Sequence, residues 1–439
     1  MAHFILEAVE GMDLSHVKVN DRGTGSEQFP PHMLLSLMLY CYATGIFSSR
    51  GMERASYDSV PVRMICGDTH PDHDTICTFR TANKELLQKT FVHVLELAQA
   101  LKFLQVGRIT VSIDGAKVLA NASKHAAVSY EHAGKTIEQL DLEVKELLAK
   151  AEQADSAPLE DGLTIPAEIQ RRQERKAKLA AARAEIEARA KARAAAEMAE
   201  YQAKVKERAA QQDKGDKPRG PEPKAPSQAP KPTDQYNFTD PQSRIMKAGN
   251  GQHFEQSYNA QAAVEVNSRL IVGERVSQAP NDKQELVASV AAIAHPVESV
   301  EIVLTDSGFY SEAAVKTVEQ NGAGEPTGTT VYAALDKKDH HRTVSDLEKK
   351  PEPSQPAAGA SIGEIMRQRL KSAAGKAKYK LRQQTVEPVF GIIKSVLGFR
   401  QFLLRGAKKV GLEWRLVCVA YNLKRLHIMV SRAQLITRS

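Results

Sequence analysis

Cysteine is scarce in this chain. Cys41, Cys66, Cys77 and Cys418 are scattered through 439 residues, too few and too far apart for a disulfide framework, which points to a reducing compartment. Long apolar runs are also lacking. The longest near the N-terminus, MLLSLMLYCYATGIF from Met33 to Phe47, falls short of the ~20 residues that span a bilayer and reads as a buried core helix. A secretory leader is missing too, since acidic residues break the apolar stretches of MAHFILEAVEGMDL and no basic flank accompanies them. No internal repeat appears beyond one Ala-rich tract. These absences together predict a cytoplasmic protein with no membrane partner.

What is present excludes wholesale disorder: 42% of residues are hydrophobic and 26% charged, over a length that suits two or three domains. Lys and Arg number 60 against 53 acidic residues, a net charge of +7. That modest excess suits a polyanionic partner without identifying one.

Composition changes twice along the chain. Up to about Lys102 the text is helical, with prolines opening PPHMLLSLMLYCYATG and apolar residues three and four apart in KELLQKTFVHVLELAQAL. RITVSID, Arg108 to Asp114, then reads as a strand ending on a carboxylate. From about Glu138 an Ala, Glu, Lys and Arg tract runs to Gln211, strongly helix-forming but sparse in large apolar residues such as Leu179, Ile186, Met198 and Val205. A protruding helical pair with a thin, coiled-coil-like seam is expected there. The Pro-rich, charged stretch that follows reads as a linker. Beyond it, SYNAQAAVEV and RLIVGERVSQ flank a short turn at Asn267 and Ser268 as an antiparallel pair. NDKQELVASVAAIAH reads as a helix, SVEIVLTD as a strand ending at Asp306, SEAAVKTVEQNG as a helix and TTVYAAL as a strand. The pattern is a mixed α/β sheet interrupted after its first strand by the helical insertion. The expected divisions are 1–107, 108–137, 138–235 and 236–439.

Two aspartates thus end strands, Asp114 in VSIDGAK and Asp306 in VLTDSGFYSE, and the small Gly115, Ser307 and Gly308 after them leave room for a phosphate or metal near the backbone. Each alone reads better as a turn aspartate, since Asp is a common turn former. A third acid, Glu387, lies in YKLRQQTVEPVFGIIKSVLGFRQF, where Thr385 reads as a helix cap and Pro388 as first-turn. Lys394, two turns on, shares the Glu387 face, with Tyr379 and Arg382 just upstream. Three acids on adjacent elements suit Mg²⁺ ions clamping an attacking and a leaving oxygen.

The blocks PPHMLLSLMLYCYATGIFSSRGMERA, PDHDTICTFR, DGAKVLANASKHAAVSY, DPQSRIMK, YNAQAAVEV, NDKQEL, TDSGFYSE and VEPVFGIIKSVLGFRQFLLRG resemble, in order, those of bacterial insertion-sequence transposases of the DDE class. The resemblance spans nearly the whole chain apart from the insertion and linker. It implies an RNase H-like catalytic domain split by the insertion and preceded by an all-α DNA-binding domain. It also implies two divalent ions, Mg²⁺ or Mn²⁺, held by Asp114, Asp306 and Glu387. The family's third block matches Tyr379, Arg382, Glu387 and Lys394, with the Arg382 to Glu387 interval one residue longer than the commonest form. Lys394, Arg382, Arg400 and Arg405 would hold phosphates of double-stranded DNA, at transposon ends and target, in a nucleoid-associated homodimer. Related proteins carry additional residues before AHFILEAVEGMDLS, so a shortened N-terminus is a further expectation. The competing reading is a truncated or decayed transposase that binds DNA without cutting it.

Other signals are weaker. Cys66, His70, His73 and Cys77 have the spacing C-x3-H-x2-H-x3-C, not the usual zinc-finger arrangement, and read as core cysteines beside ordinary histidines. His125 with Lys124 suits either a phosphate contact or a solvated loop. Asn281 and Asp282 look like a helix N-cap, and Trp414, in an apolar helix, reads as a packing anchor.

Overall fold

The first helix, α1 (Ala2–Glu10), opens the chain. Pro30 and Pro31 stand where a second helix begins, because the first residues of a helix need no amide hydrogen. In the computed structural model α2 (Pro31–Ala43) starts there, and its Leu34, Leu35, Leu37, Met38 and Leu39 are all buried, as its largely apolar run anticipates. Four more helices follow: α3 (Ser49–Asp58), α4 (Val60–Ile65), α5 (His73–Ala82) and α6 (Lys84–Ala100). The structure describes residues 1–15, 17, 28–105, 107–153, 164–213, 222–247, 253–294, 296–297, 299–335 and 359–438. Among these, no helix is long and apolar enough to cross a membrane.

The chain divides into two compact units, one of Met1–Asn121 with Gln242–Ser439 and one of Ala122–Pro241. The first holds the mixed sheet, built from β1 (Arg108–Leu119), β4 (Arg244–Lys247), β5 (Phe254–Glu265), β6 (Ile271–Ser277), β7 (Ser299–Thr305) and β8 (Thr330–Ala333). The strand order is β4-β5-β1-β7-β8, with β6 paired to β5 beyond β4. β1 is antiparallel to β5 and parallel to β7, and β7 is parallel to β8. The expected hairpin across Asn267 and Ser268 is the β5–β6 pair. β1, however, runs past Asp114 to Leu119, because GAKVL continues to pair with β5 as far as Ser257. Asp114 therefore lies inside a strand, not at its end. The short β4 from DPQSRIMK carried no alternation by which to expect it.

Helices α9 (Glu285–Ala291), α10 (Glu312–Glu319), α11 (Ile362–Lys371) and α12 (Ala373–Gly391) complete this unit with α13 (Ala407–Arg438). α13 packs on α2, α6 and β6, so the helices of the first hundred residues share a core with the sheet. Trp414 on α13 is fully buried, stacks on Phe390 at 6.0 Å and donates its indole N–H to the Gln261 carbonyl at 2.9 Å. It is the packing anchor expected.

The second unit pairs α7 (Tyr130–Gln153) with α8 (Ile165–Asp213). Their seam is small, as the sparse large residues predict: Val128, Ala133, Leu140, Leu179 and Ala182, edged by Ile137 and Tyr236. Two short strands, β2 (Ala127–Ser129) and β3 (Gln235–Asn237), close its base. Residues 214–221 of the expected linker lie outside the described residues.

Candidate active site

β1 and β7 are parallel neighbours with Val111 beside Val303 and Ser112 beside Leu304. Carried two residues further, that register sets Asp114 level with Asp306, the residue after β7. The pairing brings together two acids far apart in sequence. Burial, followed by the charge of Asp306, pushes the Asp114 carboxyl up to about 6, against the opposing effect of Arg382. Asp114 also accepts the Gly115 amide at 2.8 Å, and Asp306 accepts the Gly308 amide at 2.8 Å. Gly308 thus serves the Asp306 carboxylate directly.

Glu387 comes from α12, which packs across β1, β5 and β7. This helix does not begin near Thr385, as the sequence suggested. Its N-cap is Ser372, whose hydroxyl accepts the Gly375 amide at 3.0 Å. Thr385 is buried inside the helix with its hydroxyl donated back to the Leu381 carbonyl at 2.7 Å, and Pro388 also lies within it. A Thr–x–x–Pro pattern resembles a helix start, but proline's φ suits a helix and its cost is one lost backbone bond plus crowding. Packing on the sheet outweighs that cost.

Arg382 links the acids. Its Nη1 stands 3.3 Å from Asp114 Oδ2 and its Nη2 3.1 Å from Glu387 Oε1, while its buried Nε has no partner among the described residues. Tyr379, one turn earlier, has its hydroxyl pushed upward by burial, against the opposing effect of Arg382. Among the described residues no three His, Cys, Asp or Glu side chains converge closely enough to hold one ion. Oxygen-only carboxylate donors nonetheless suit a hard divalent cation, and Asp114 and Glu387 already share one cationic group, the guanidinium.

The other basic residues have separate settings. A π-helical turn at Ile392–Val396 follows α12 and rotates Lys394 relative to a continuous α-helix. Lys394 donates to the Lys117 carbonyl at 3.1 Å, and burial holds its ammonium below the usual lysine range despite Asp114 nearby. Arg400 and Arg405 are exposed on the loop after this turn. The loop is fixed to the end of β1 by Leu119 N–H to Arg400 O, 3.2 Å, and Phe402 N–H to Leu119 O, 2.8 Å. Arg405 donates to the Asn121 carbonyl at 3.0 Å.

Room near the backbone was anticipated at Gly115, but protein fills it. A Cβ there would lie 2.6 Å from Asp282 Oδ1, 2.8 Å from Asn259 Oδ1 and closer still to the Gln261 amide nitrogen. Asp282 does not cap α9, whose N-cap position is Gln284. It accepts instead from Asn259 Nδ2 at 2.7 Å and Gln261 Nε2 at 2.6 Å. The sequence signal for this group was YNAQ followed by ND, polar residues amid strand-forming ones.

In the N-terminal helices His70 pairs with Ser56 at 3.1 Å and stacks on Tyr57, and His73 pairs with Glu53 at 2.8 Å. Cys66 is buried, its thiol pushed up to about 11 by burial. His125 sits in a short 3-10 turn, Lys124–Ala126.

Two family models match this chain. One, described as a transposase domain, matches residues 5–82, and the other, described as a transposase DDE domain, matches residues 354–427. The first covers most of α1 to α5 and the second includes Tyr379, Arg382, Glu387 and Lys394. No curated protein and no solved structure matches.

Proposed function

We propose that the chain is a DDE transposase of the insertion-sequence kind, a reading supported by the matches at its N-terminal and C-terminal helices, and that it cuts transposon ends and joins them to target DNA by two-metal phosphoryl transfer at Asp114, Asp306 and Glu387. What supports this reading above all is the parallel β1–β7 register, which levels Asp114 with Asp306 beneath the helix that carries Glu387. The sheet, with one unit inserted after its first strand, is read as an RNase H-like catalytic domain.

Asp114, Asp306 and Glu387 would hold Mg²⁺ or Mn²⁺, which when bound supplies Lewis acidity to the attacking and leaving oxygens of the phosphodiester. Arg382 is the chain's own counter-ion to Asp114 and Glu387, placed to neutralise a phosphate beside the reacting bond. Tyr379 orients that guanidinium. Lys394 adds positive charge on the β1 side, and Arg400 and Arg405 extend it along the loop fastened to β1. Two transposon ends must be brought together, so two copies of the chain act on one DNA complex, within the nucleoid.

The test is cleavage of labelled DNA bearing the element's ends, with Mg²⁺ or Mn²⁺, by the unmodified chain and by Asp114→Asn, Asp306→Asn and Glu387→Gln. Each substitution should abolish cutting while DNA binding persists. Cutting retained by Asp114→Asn overturns the assignment, and binding by the unmodified chain with no cutting in either metal favours a noncatalytic DNA-binding protein.

A further inference from the structure

We propose that Asp282 is a fourth acidic residue of this site, a positioning residue that acts on Asp114 from the opposite face of β1, where Asn259 and Gln261 fix it against Gly115. The inference rests on the metal-site reading given above and deepens it.

Side chains alternate between faces along a strand. Gly115 and Lys117 therefore face away from Asp114, and their partners across the ladder are Gln261 and Asn259. Only the missing side chain of Gly115 allows Asp282, Asn259 and Gln261 to close so tightly on β1. Both amide side chains donate to one oxygen of Asp282. Both residues are almost wholly buried, at 0% and 1% exposure.

Two features separate this group from an ordinary turn. First, the Asn259 and Gln261 side-chain oxygens have no hydrogen-bond partner among the described residues. Buried acceptors left unpaired are costly, so both amides are turned with their donors to Asp282 at the expense of their oxygens. Second, Asp282 closes on Gly115, whose amide donates to the Asp114 carboxylate at 2.8 Å. A carboxylate held behind β1 adds negative potential at the cation-binding carboxylate without itself touching the cation. Groups that act on a metal's ligands without touching the metal commonly change its affinity ten- to a hundredfold.

Charge and shape can be separated, because Asp282→Asn keeps the size of the side chain and the two facing amides can rotate to meet it. The measurement is Mn²⁺ binding to the full chain on duplex DNA carrying the element's ends, read by electron paramagnetic resonance, with the thermal transition as a check on folding. Asp282→Asn should unfold at the same temperature as the unmodified chain and bind Mn²⁺ about tenfold more weakly. The double variant Asp282→Asn with Asn259→Asp returns the charge to the same cluster and should recover most of the affinity. Gln261→Met keeps the length of the side chain but loses one anchoring amide, and should weaken binding to a smaller degree. Unchanged affinity in Asp282→Asn overturns the proposal while leaving Asp114 as a ligand. Failure of the double variant to recover affinity overturns the charge role. If the unmodified chain and Asp114→Asn bind Mn²⁺ alike, the metal-site reading falls and this inference with it.

Discussion

Asp114 carries a measurable electrostatic load. Its carboxyl stands at about 6 because burial and Asp306 disfavour the charged form. A carboxyl raised in the folded state holds a proton that the unfolded chain releases, so its contribution to stability is fully present below about pH 4 and is lost as pH rises through about 6. With EDTA present, the thermal transition of the unmodified chain should therefore fall across that window relative to Asp114→Asn, by up to about 3 kcal/mol in stability. Parallel curves for the two proteins would show that Asp114 bears no such load. Gly115 gives a second prediction at this scale. Gly115→Ala drives a methyl into Asp282, Asn259 and Gln261 and should cost about 1–3 kcal/mol in denaturant unfolding.

At the scale of elements, the α7–α8 hairpin depends on few large side chains. Leu140 and Leu179 are each 5% exposed in a seam otherwise made largely of small residues. Leu179→Ala should destabilise the second unit by about 2–4 kcal/mol, visible as faster amide exchange in α7 and α8. Amide exchange in the β1–β5 ladder, which belongs to the other unit, should not change. The thin seam was legible in the sequence, because Ala, Glu, Lys and Arg repeats leave few positions able to bury area. The start of α12 was not. Ser372 and Thr385 are both sound capping residues locally, and the choice of Ser372 follows from the length of sheet that the helix covers. The extent of β1 was equally hidden, since pairing with β5, and not the Asp–Gly turn signal, decides where the strand ends.

At the scale of the molecule, a net charge of +7 favours a polyanion such as DNA, and on the proposed reading the exposed Arg400 and Arg405 would localise part of that attraction. Replacing either with Ala should weaken binding to all sequences and reduce the slope of log affinity against log salt by about 1. A salt slope unchanged by both substitutions would remove this loop from the DNA-contacting surface.

Local patterns in the chain were enough to mark most of the elements and the candidate acids. Strand alternation, helix periodicity and the ordered motif blocks all depend on near neighbours in the chain, and they located the α/β sheet, the inserted hairpin and the residues Asp114, Asp306 and Glu387. Which groups meet follows instead from how the sheet and helices pack. The level placement of Asp114 and Asp306 comes from the β1–β7 register, and the Arg382 bridge from how α12 lies on the sheet. The closure of Asp282, Asn259 and Gln261 on Gly115 comes from the β1–β5 ladder. Charges interact through space and strand registers are set by burial of whole faces, so these relations have no local signal in the chain.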